Sequence, residues 1–268
     1  MQKLNIQKIR GLVVPIITPE ENGVADAASL TKLLNFLIKN KVDAIFILGT
    51  TGEFQHLSLA EKKRIIKIST AIINKRLPLL VGISAQTIEE IQQLIQTANN
   101  LNVDAVVLAP LFGRGNPYKK IQIVIKKSRS PLLIYNNPII HNNKNLDLNF
   151  LKQFSDNKKI IGIKDSSGDA HYFKKLLKLK SKKFKIFQGR ERSIINSLRK
   201  GASGIIAGTA NVYPQEFKAL ILKKDSRTMN KILKYKKELS SSSNYISGIK
   251  AKLLEMNIIK TNHLFSQN

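Results

Sequence analysis

Residues 79–109 read LLVGISAQTIEEIQQLIQTANNLNVDAVVLA, and this stretch contains one complete structural repeat. It begins with the apolar run Leu79–Ile83 and ends with a second apolar run, Ala105–Ala109. Between them, Ile88–Leu101 has apolar residues three and four positions apart, which is the pattern of an amphipathic helix. Two short apolar runs joined by such a helix are typical of parallel strands.

The same repeat recurs along most of the chain. Eight apolar runs predict strands at Leu12–Thr18, Ala44–Gly49, Leu79–Ile83, Ala105–Ala109, Leu132–Asn136, Ile160–Lys164, Lys185–Gln188 and Gly204–Ala207. The helices predicted after them are Ser29–Asn40, Leu59–Asn74, Ile88–Leu101, Tyr118–Lys127, Leu148–Phe154, Ala170–Leu179, Arg192–Lys200 and Pro214–Leu222. Most of the strands are apolar throughout, as expected for parallel strands covered on both faces. Eight strand–helix units predict an α/β protein of the (β/α)8 TIM barrel class.

The main alternative is an open, doubly wound sheet. That fold usually carries a Gly-rich phosphate-binding turn after its first strand, whereas the first strand here ends in Thr18-Pro19-Glu20. We therefore predict a barrel over residues 1–222 and a C-terminal helical extension of the same domain over residues 223–268. In that extension, Ser226–Ile259 is expected to form two or three helices, with a loop at Ser240–Ser243.

The composition limits the classes of function. The chain of 268 residues has no Cys, which excludes disulfide scaffolds, Cys-ligated zinc, iron–sulfur clusters and thiol nucleophiles. Its formal net charge is +27, but the lysines are spread along the chain without interleaved aromatic residues. We interpret this charge as a solvated basic surface and disfavour a nucleic-acid partner. No apolar run approaches the roughly 18 residues that span a bilayer, so we expect a cytoplasmic protein without a membrane partner.

A barrel carries its functional groups at the carboxyl ends of its strands, where the following loops form the mouth. Lys164 ends the sixth predicted strand. Because alternate side chains of a strand share a face, Lys164 points into the barrel if Ile161 and Ile163 face the helices, and Gly162 leaves room beneath it. Burial favours the neutral amine that Schiff-base chemistry requires. A lysine that points to water is the alternative that position alone leaves open.

Two further features lie at the predicted mouth. Tyr135 is on the strand next to that of Lys164, where a phenol can relay protons between a carbonyl oxygen and the amine. A packed ring with a solvated hydroxyl is its alternative. The turn Gly49-Thr50-Thr51-Gly52 follows the second strand, and its N–H groups and hydroxyls are suited to bind an anion. An ordinary Gly-bounded turn is equally compatible with this tetrapeptide.

Together these motifs resemble a known family, the dihydrodipicolinate synthase/N-acetylneuraminate lyase family of pyruvate-dependent class I aldolases. The resemblance extends from Gly11 to about Pro214. The segments that carry it are Gly49-Thr-Thr-Gly-Glu53, Tyr135-Asn-Asn-Pro138, Gly162-Ile-Lys-Asp-Ser166, Gln188-Gly189 and Gly204–Asn211. Further along, Ser247–Leu254 is similar to the C-terminal helix of such aldolases.

The resemblance implies a role for individual residues. Lys164 would be the Schiff-base lysine, and Tyr135 would be the proton relay, supported by the hydroxyl of Thr50. The residues implied to bind pyruvate are Gly49, Thr50, Thr51, Gly189 and Ile206. Neither a cofactor nor a metal is implied, because the covalent lysine carries the chemistry.

Two positions depart from the dihydrodipicolinate synthase branch of the family. That branch has an Arg, which grips the carboxylate of the aldehyde substrate, where this chain has Ile140. It also has a second Tyr, reached across a dimer contact, where this chain has Phe112. Both changes favour the branch that makes or cleaves 2-keto-3-deoxy sugar acids.

Other polar residues near the same strand ends are candidates for contacts with the aldehyde. The amides of Asn136 and Asn137, together with His141, would supply neutral hydrogen bonds to a polyhydroxylated aldehyde. Arg190 follows the seventh strand and would instead favour an anionic substrate.

We therefore predict a pyruvate-dependent aldolase or lyase that acts on a 2-keto-3-deoxy sugar acid. The alternatives are 4-hydroxy-tetrahydrodipicolinate synthase, a sugar-acid dehydratase of the same family and, in a different class, a non-catalytic barrel that binds nucleic acid. The expected partners are small molecules, namely pyruvate and an aldehyde, and further copies of the chain in a homo-oligomer, either a dimer or a tetramer.

Overall fold

The computed structural model describes residues 9–140, 143–241 and 244–265, so His141 and part of the predicted loop at Ser240–Ser243 lie outside the described residues. Eight parallel strands form a closed barrel in which the last strand pairs with the first. The strands are β1 (Gly11–Pro15), β2 (Ala44–Ile47), β3 (Leu79–Gly82), β4 (Ala105–Leu108), β5 (Leu132–Asn136), β6 (Ile160–Asp165), β7 (Lys185–Gln188) and β8 (Gly204–Ile206). The (β/α)8 prediction is confirmed, and the open-sheet alternative is wrong.

Within the described residues, a helix follows every barrel strand, and two more helices come after the eighth. The helices are α1 (Ala27–Lys39), α2 (Leu59–Ile73), α3 (Ile88–Asn100), α4 (Pro117–Lys127), α5 (Leu148–Ser155), α6 (Ala170–Leu177), α7 (Ile194–Arg199), α8 (Pro214–Lys223), α9 (Ser226–Leu239) and α10 (Tyr245–Glu255). Polar side chains begin most of them by accepting hydrogen bonds from first-turn N–H groups, as Asp26, Ser58 and Thr87 do for the first three. Within the described ranges, no helix is long and apolar enough to cross a membrane.

The strand register decides which side chains point into the barrel. Lys164 on β6 is aligned with Tyr135 on β5 and with Phe187 on β7, so these three side chains share the interior face. Gly162 lies two residues before Lys164 and has a φ of +144°. A Cβ atom there would lie 1.9 Å from the carbonyl oxygen of Lys185, so only glycine allows β6 and β7 to approach this closely.

The first strand is shorter than predicted. It ends at Pro15 instead of Thr18, because the N–H of Ile17 donates to the side chain of Asn211 (3.1 Å) instead of to a strand partner. The chain then forms a short hairpin, Glu20–Glu21 with Val24–Ala25, which the apolar pattern did not predict.

The C-terminal segment folds into two helices, α9 and α10, as expected. Lys250 on α10 is fully buried, and its Nζ lies 2.6 Å from Oε1 of Glu53 in the loop after β2. The N–H of Phe265 donates to the other oxygen of the same carboxylate (2.9 Å). These contacts hold the C-terminal helices against the mouth of the barrel, while the division at residues 222 and 223 stays a prediction.

Candidate active site

Lys164 lies near the carboxyl end of β6 with only 3% of its surface exposed. Its Nζ atom is 4.0 Å from the ring centroid of Tyr135 and 5.3 Å from that of Phe46. The amine is therefore inside the barrel mouth between two aromatic rings, and the solvent-exposed alternative for this lysine is wrong.

The phenol of Tyr135 is held in a network of side chains. Its hydroxyl is 3.3 Å from the hydroxyl of Thr50 and accepts a hydrogen bond from Nδ2 of Asn137 (2.9 Å). Burial by itself raises the pKa of this phenol, but the Lys164 ammonium and hydrogen bonds with Thr50 and Ser166 outweigh it and lower the pKa below its usual value. A phenol in this position can exchange protons with groups bound near the amine.

The turn after β2 has the compact form that an anion site needs. Thr50–Gly52 forms one turn of 3-10 helix, flanked by Leu48 and Glu53, which both have a φ of +57°. The N–H groups of Gly52 and Glu53 are used inside the turn, bonding to the carbonyl oxygens of Gly49 (3.0 Å) and Thr50 (3.1 Å). The hydroxyl groups and N–H groups of the two threonines are therefore the polar groups of this turn that are suited to bind a ligand.

Gly189 and Ile206 lie at the ends of β7 and β8. The N–H of Gly189 donates to the carbonyl oxygen of Asp165 (2.7 Å), which holds the end of β7 against the strand of Lys164. Ile206 is buried and lies two residues after Gly204, which is aligned with Phe187, so it is on the interior face. The structure therefore places both near the mouth, at the ends of two neighbouring strands.

Two hydrogen bonds of the site were not predicted from the sequence. The hydroxyl of Ser166 bonds to Tyr135, and the buried amide of Asn137 bonds to the same phenol, as described above. Each comes two positions after a candidate catalytic residue, Ser166 after Lys164 and Asn137 after Tyr135. The two-residue period of a strand is the signal that would have identified them.

The neighbouring amide, Asn136, is not available to a ligand. Its Nδ2 donates to Asp165 (2.7 Å) and to Asn145 (2.8 Å), and its Oδ1 accepts from the N–H of Leu146 (2.9 Å). Burial raises the pKa of Asp165, although hydrogen bonds from Asn136 and Ser167 oppose the shift. The expectation that both amides face the mouth is therefore wrong for Asn136, which stabilises the β5 and β6 loops from behind.

The three residues expected to decide the aldehyde lie around the mouth. Ile140 ends the 3-10 turn Pro138–Ile140 and is half-buried against the core. Phe112 is buried and packs edge-on against Phe54 of the same chain, with ring centroids 5.0 Å apart. Arg190 is exposed, and its side chain lies beside Gly168 in the loop that follows β6. Arg190 thus brings a positive charge to this part of the mouth.

The site combines a buried amine, a hydrogen-bonded phenol and a turn rich in hydroxyl groups. Among the described residues, no group of three or more His, Asp or Glu side chains is arranged to hold a metal ion. The profile of the dihydrodipicolinate synthetase family matches residues 8–265, which is nearly the whole chain.

The chain belongs to the dihydrodipicolinate synthetase family.

Its relatives in this family have more than one activity. The chain is 29% identical to a 4-hydroxy-tetrahydrodipicolinate synthase of Clostridium perfringens over 211 residues, which are 77% of this chain and 72% of that protein. The dihydrodipicolinate synthase of Acinetobacter baumannii, solved in complex with pyruvate, has a TM-score of 0.86 and 29% identity, covering 96% of this chain and 91% of that one. The 2-keto 3-deoxygluconate aldolase of Picrophilus torridus has a TM-score of 0.84 and 27% identity, covering 94% of each chain.

Family membership establishes the class of this protein. It is an enzyme, a lyase of the aldolase type, and the non-catalytic barrel that binds nucleic acid is the wrong alternative. Because similar relatives include both a dipicolinate-forming synthase and a sugar-acid aldolase, the family alone does not decide the substrate.

Proposed function

We propose that this member of the dihydrodipicolinate synthetase family is a pyruvate-dependent class I aldolase in which Lys164 forms the Schiff base. The observation that carries the proposal is the buried amine of Lys164, 4.0 Å from the ring centroid of a phenol that also bonds to Thr50. A buried amine beside a phenol is suited to attack a carbonyl carbon, because the phenol can exchange protons with the carbonyl oxygen.

In the first step the turn after β2 binds the carboxylate of pyruvate through the N–H groups and hydroxyls of Thr50 and Thr51. The amine of Lys164 attacks C2 of pyruvate, and the carbonyl oxygen takes up a proton from Tyr135. A second proton transfer releases this oxygen as water and leaves a protonated imine on Nζ. Thr50 and Ser166 hydrogen-bond to the phenol and keep its proton directed at the reacting oxygen.

In the second step the protonated imine accepts electrons from the neighbouring carbon–hydrogen bond. The Tyr135 phenolate left by the first step takes a proton from C3, which gives an enamine that attacks the carbonyl carbon of an aldehyde and forms a carbon–carbon bond. Tyr135 returns that proton to the aldehyde oxygen, the attack restores the protonated imine, and water then hydrolyses this imine and releases the 2-keto acid from Lys164. Cleavage follows the same steps in reverse.

We propose a polyhydroxylated aldehyde, and hence a 2-keto-3-deoxy sugar acid, as the second reactant. Ile140 cannot bind a carboxylate, and Phe112 packs against Phe54 without a hydroxyl to donate. Oδ1 of Asn137 is buried and has no hydrogen-bond partner in the described part of the chain. A buried amide oxygen of this kind is suited to accept a hydrogen bond from a substrate hydroxyl.

The second candidate is 4-hydroxy-tetrahydrodipicolinate synthase, the activity named for the relative from Clostridium perfringens. Arg190 favours it, because an exposed guanidinium beside Gly168 can bind the carboxylate of an aldehyde that enters from that side. A dehydratase would use the same Schiff base without a second aldehyde. Homo-oligomeric assembly and a cytoplasmic location also stay predictions.

Reduction with borohydride in the presence of pyruvate tests the Schiff base. We expect mass spectrometry to find one reduced pyruvyl adduct, on Lys164, and no adduct in Lys164→Arg, because a guanidinium stays protonated and cannot attack a carbonyl. Lys182→Arg, at an exposed position, is the control and should be labelled as the unchanged protein is. An adduct that is absent, or that falls on other lysines while Lys164 remains unmodified, contradicts the proposal.

A further inference from the structure

A buried carboxylate joins the C-terminal helices to the mouth of the barrel. Glu191 follows β7 and is 3% exposed. Its Oε1 accepts hydrogen bonds from the N–H of Thr209 and the hydroxyl of Tyr245, both at 2.9 Å. Its Oε2 accepts from the hydroxyl of Thr209 (2.8 Å) and from Nζ of Lys236 (2.9 Å). We call these four residues the Glu191 cluster.

In the Glu191 cluster, the carboxylate of Glu191 is stabilised in its ionised form, and both of its oxygens accept hydrogen bonds. Burial raises the pKa of Glu191, but the ammonium of Lys236 and the hydrogen bonds from Thr209 outweigh it and lower the pKa. Burial and the adjacent Glu191 raise the pKa of Tyr245 well above its usual value, so its hydroxyl remains a donor. Removing one donor from such a carboxylate leaves a buried lone pair unsatisfied.

The hydroxyl of Tyr245 also lies beside Gly208, close to the turn that carries Thr51. A Cβ atom at Gly208 would lie 2.9 Å from Oη of Tyr245 and 3.5 Å from Cγ2 of Thr51. Gly208 directly follows the β8 loop residue Ala207 and begins the turn Gly208–Asn211. The Tyr245 hydroxyl and the Thr51 methyl group therefore line the same small space at Gly208, between the C-terminal helix and the Thr50–Thr51 turn.

We propose that Tyr245 is a positioning residue that holds Thr51 in place through Gly208, so that a residue of the C-terminal helices sets the affinity for the substrate carboxylate. This inference rests on the proposed function, because it assumes that the Thr50–Thr51 turn binds that carboxylate. The hydroxyl of Tyr245 is held by its hydrogen bond to Glu191, so its oxygen has a defined place beside Gly208. Without that oxygen, the space at Gly208 is larger and Thr51 can move into it.

Binding of pyruvate, measured by titration calorimetry on the full chain, tests the proposal. We expect Tyr245→Phe to weaken pyruvate binding about fivefold, the scale on which a residue outside a binding site alters the affinity of that site, while the maximal rate of borohydride trapping on Lys164 stays within about twofold. Tyr235→Phe removes a hydroxyl from the same pair of helices at a ring that stacks on Tyr213, and it should leave binding unchanged.

A second variant separates positioning from a general loss of stability. Gly208→Ala places a Cβ against the Tyr245 hydroxyl and should also weaken pyruvate binding. In the double variant with Tyr245→Phe the 2.9 Å contact with the oxygen is gone and only the 3.2 Å contact with Cε1 of the ring remains, so the combined loss of binding should be smaller than the sum of the two single losses. Additive losses, or a Tyr245→Phe affinity within about 1.5-fold of the unchanged protein, overturn the proposal.

The two proposals fail in different ways. If the unchanged protein binds pyruvate and Tyr245→Phe weakens that binding, the positioning role of Tyr245 is supported. If no adduct forms on Lys164 in the same experiments, only the Schiff-base mechanism is wrong. If an adduct forms on Lys164 but its half-saturating pyruvate concentration is the same in Tyr245→Phe, the positioning role alone is wrong. If the unchanged protein does not bind pyruvate, both are wrong.

Discussion

Gly189 lies so close to Lys164 that a Cβ atom at position 189 would be 2.9 Å from Cε of the lysine. The same atom would be 2.2 Å from the hydroxyl oxygen of Ser166. The absence of a side chain at this position therefore gives the amine and the serine the space they occupy. Placement of the amine of Lys164, which we propose reacts with pyruvate, therefore depends on the residue that directly follows the neighbouring strand β7.

Gly189→Ala is expected to slow the trapping of pyruvate on Lys164 by about 10²-fold, because a displacement of about 1 Å at a reacting atom has an effect of that size. The rate of adduct formation under borohydride measures this. The thermal unfolding of the variant should stay cooperative, which shows that the chain is folded. A trapping rate equal to that of the unchanged protein would mean that Lys164 reacts from a different position.

Tyr135→Phe keeps the ring beside Lys164 and removes the proton carrier. We expect kcat to fall by roughly 10²–10⁴, the usual effect of losing one acid–base group. The measurement is steady-state turnover with pyruvate and an aldehyde. Tyr118→Phe is a matched control, because its ring packs on Phe150 and Phe154 away from Lys164. Activity of Tyr135→Phe within about threefold of the unchanged protein would remove this phenol from the mechanism.

The choice of aldehyde follows from the side chains around the mouth. Ile140 offers no charge to a carboxylate, whereas the free oxygen of Asn137 suits a hydroxyl. We expect kcat/KM with pyruvate and glyceraldehyde to exceed that with pyruvate and aspartate semialdehyde by at least about tenfold, which corresponds to about 1.4 kcal/mol. The two assays are run at the same pyruvate concentration and pH. An equal or reversed ratio favours the dipicolinate-forming reaction.

Two variants identify the origin of that preference. Ile140→Arg introduces a planar cation suited to a carboxylate and should shift the ratio toward aspartate semialdehyde. Arg190→Ala should lower activity with the semialdehyde more than with glyceraldehyde if the exposed guanidinium beside Gly168 attracts the anion. Unchanged ratios in both variants would show that neither position contacts the aldehyde.

Asp165 gives the stability of the protein a specific pH dependence. Burial raises its pKa in the folded chain above the unfolded value of about 3.9. The folded chain therefore holds this proton more tightly than the unfolded chain. The stability from the bound proton is fully present below the unfolded pKa and is lost as the pH rises through the folded pKa.

Asp165→Asn keeps the shape of the side chain and cannot ionise. We expect the free energy of unfolding of the unchanged protein, relative to this variant, to fall as the pH is raised from about 4 to 7. Urea denaturation at several pH values measures the difference. Asp156→Asn, at an exposed position, serves as the control. A relative stability that rises over this pH range would contradict the burial of an ionisable Asp165.

Much of the fold follows from local pattern. Parallel strands buried on both faces must be apolar throughout, and helices between them must be amphipathic, so all eight strand–helix units are visible in the sequence. The two-residue period also predicts that Lys164 points inward. The predicted end of the first strand at Thr18 is wrong, because the N–H of Ile17 bonds to the distant side chain of Asn211, which no local pattern records.

The sequence by itself therefore determined the barrel, the family resemblance and the inward position of Lys164, since each depends on residues that are near neighbours in the chain. Only the tertiary structure decided that the Asn136 amide is turned away from the mouth, while Oδ1 of Asn137 has no hydrogen-bond partner among the described residues. It also decided that Lys250 reaches the loop after β2, and that Tyr245 reaches the loops after β7 and β8. These contacts join residues far apart in the chain, through loops without a repeating pattern. They depend on closure of the barrel, which brings the carboxyl ends of all eight strands to one face.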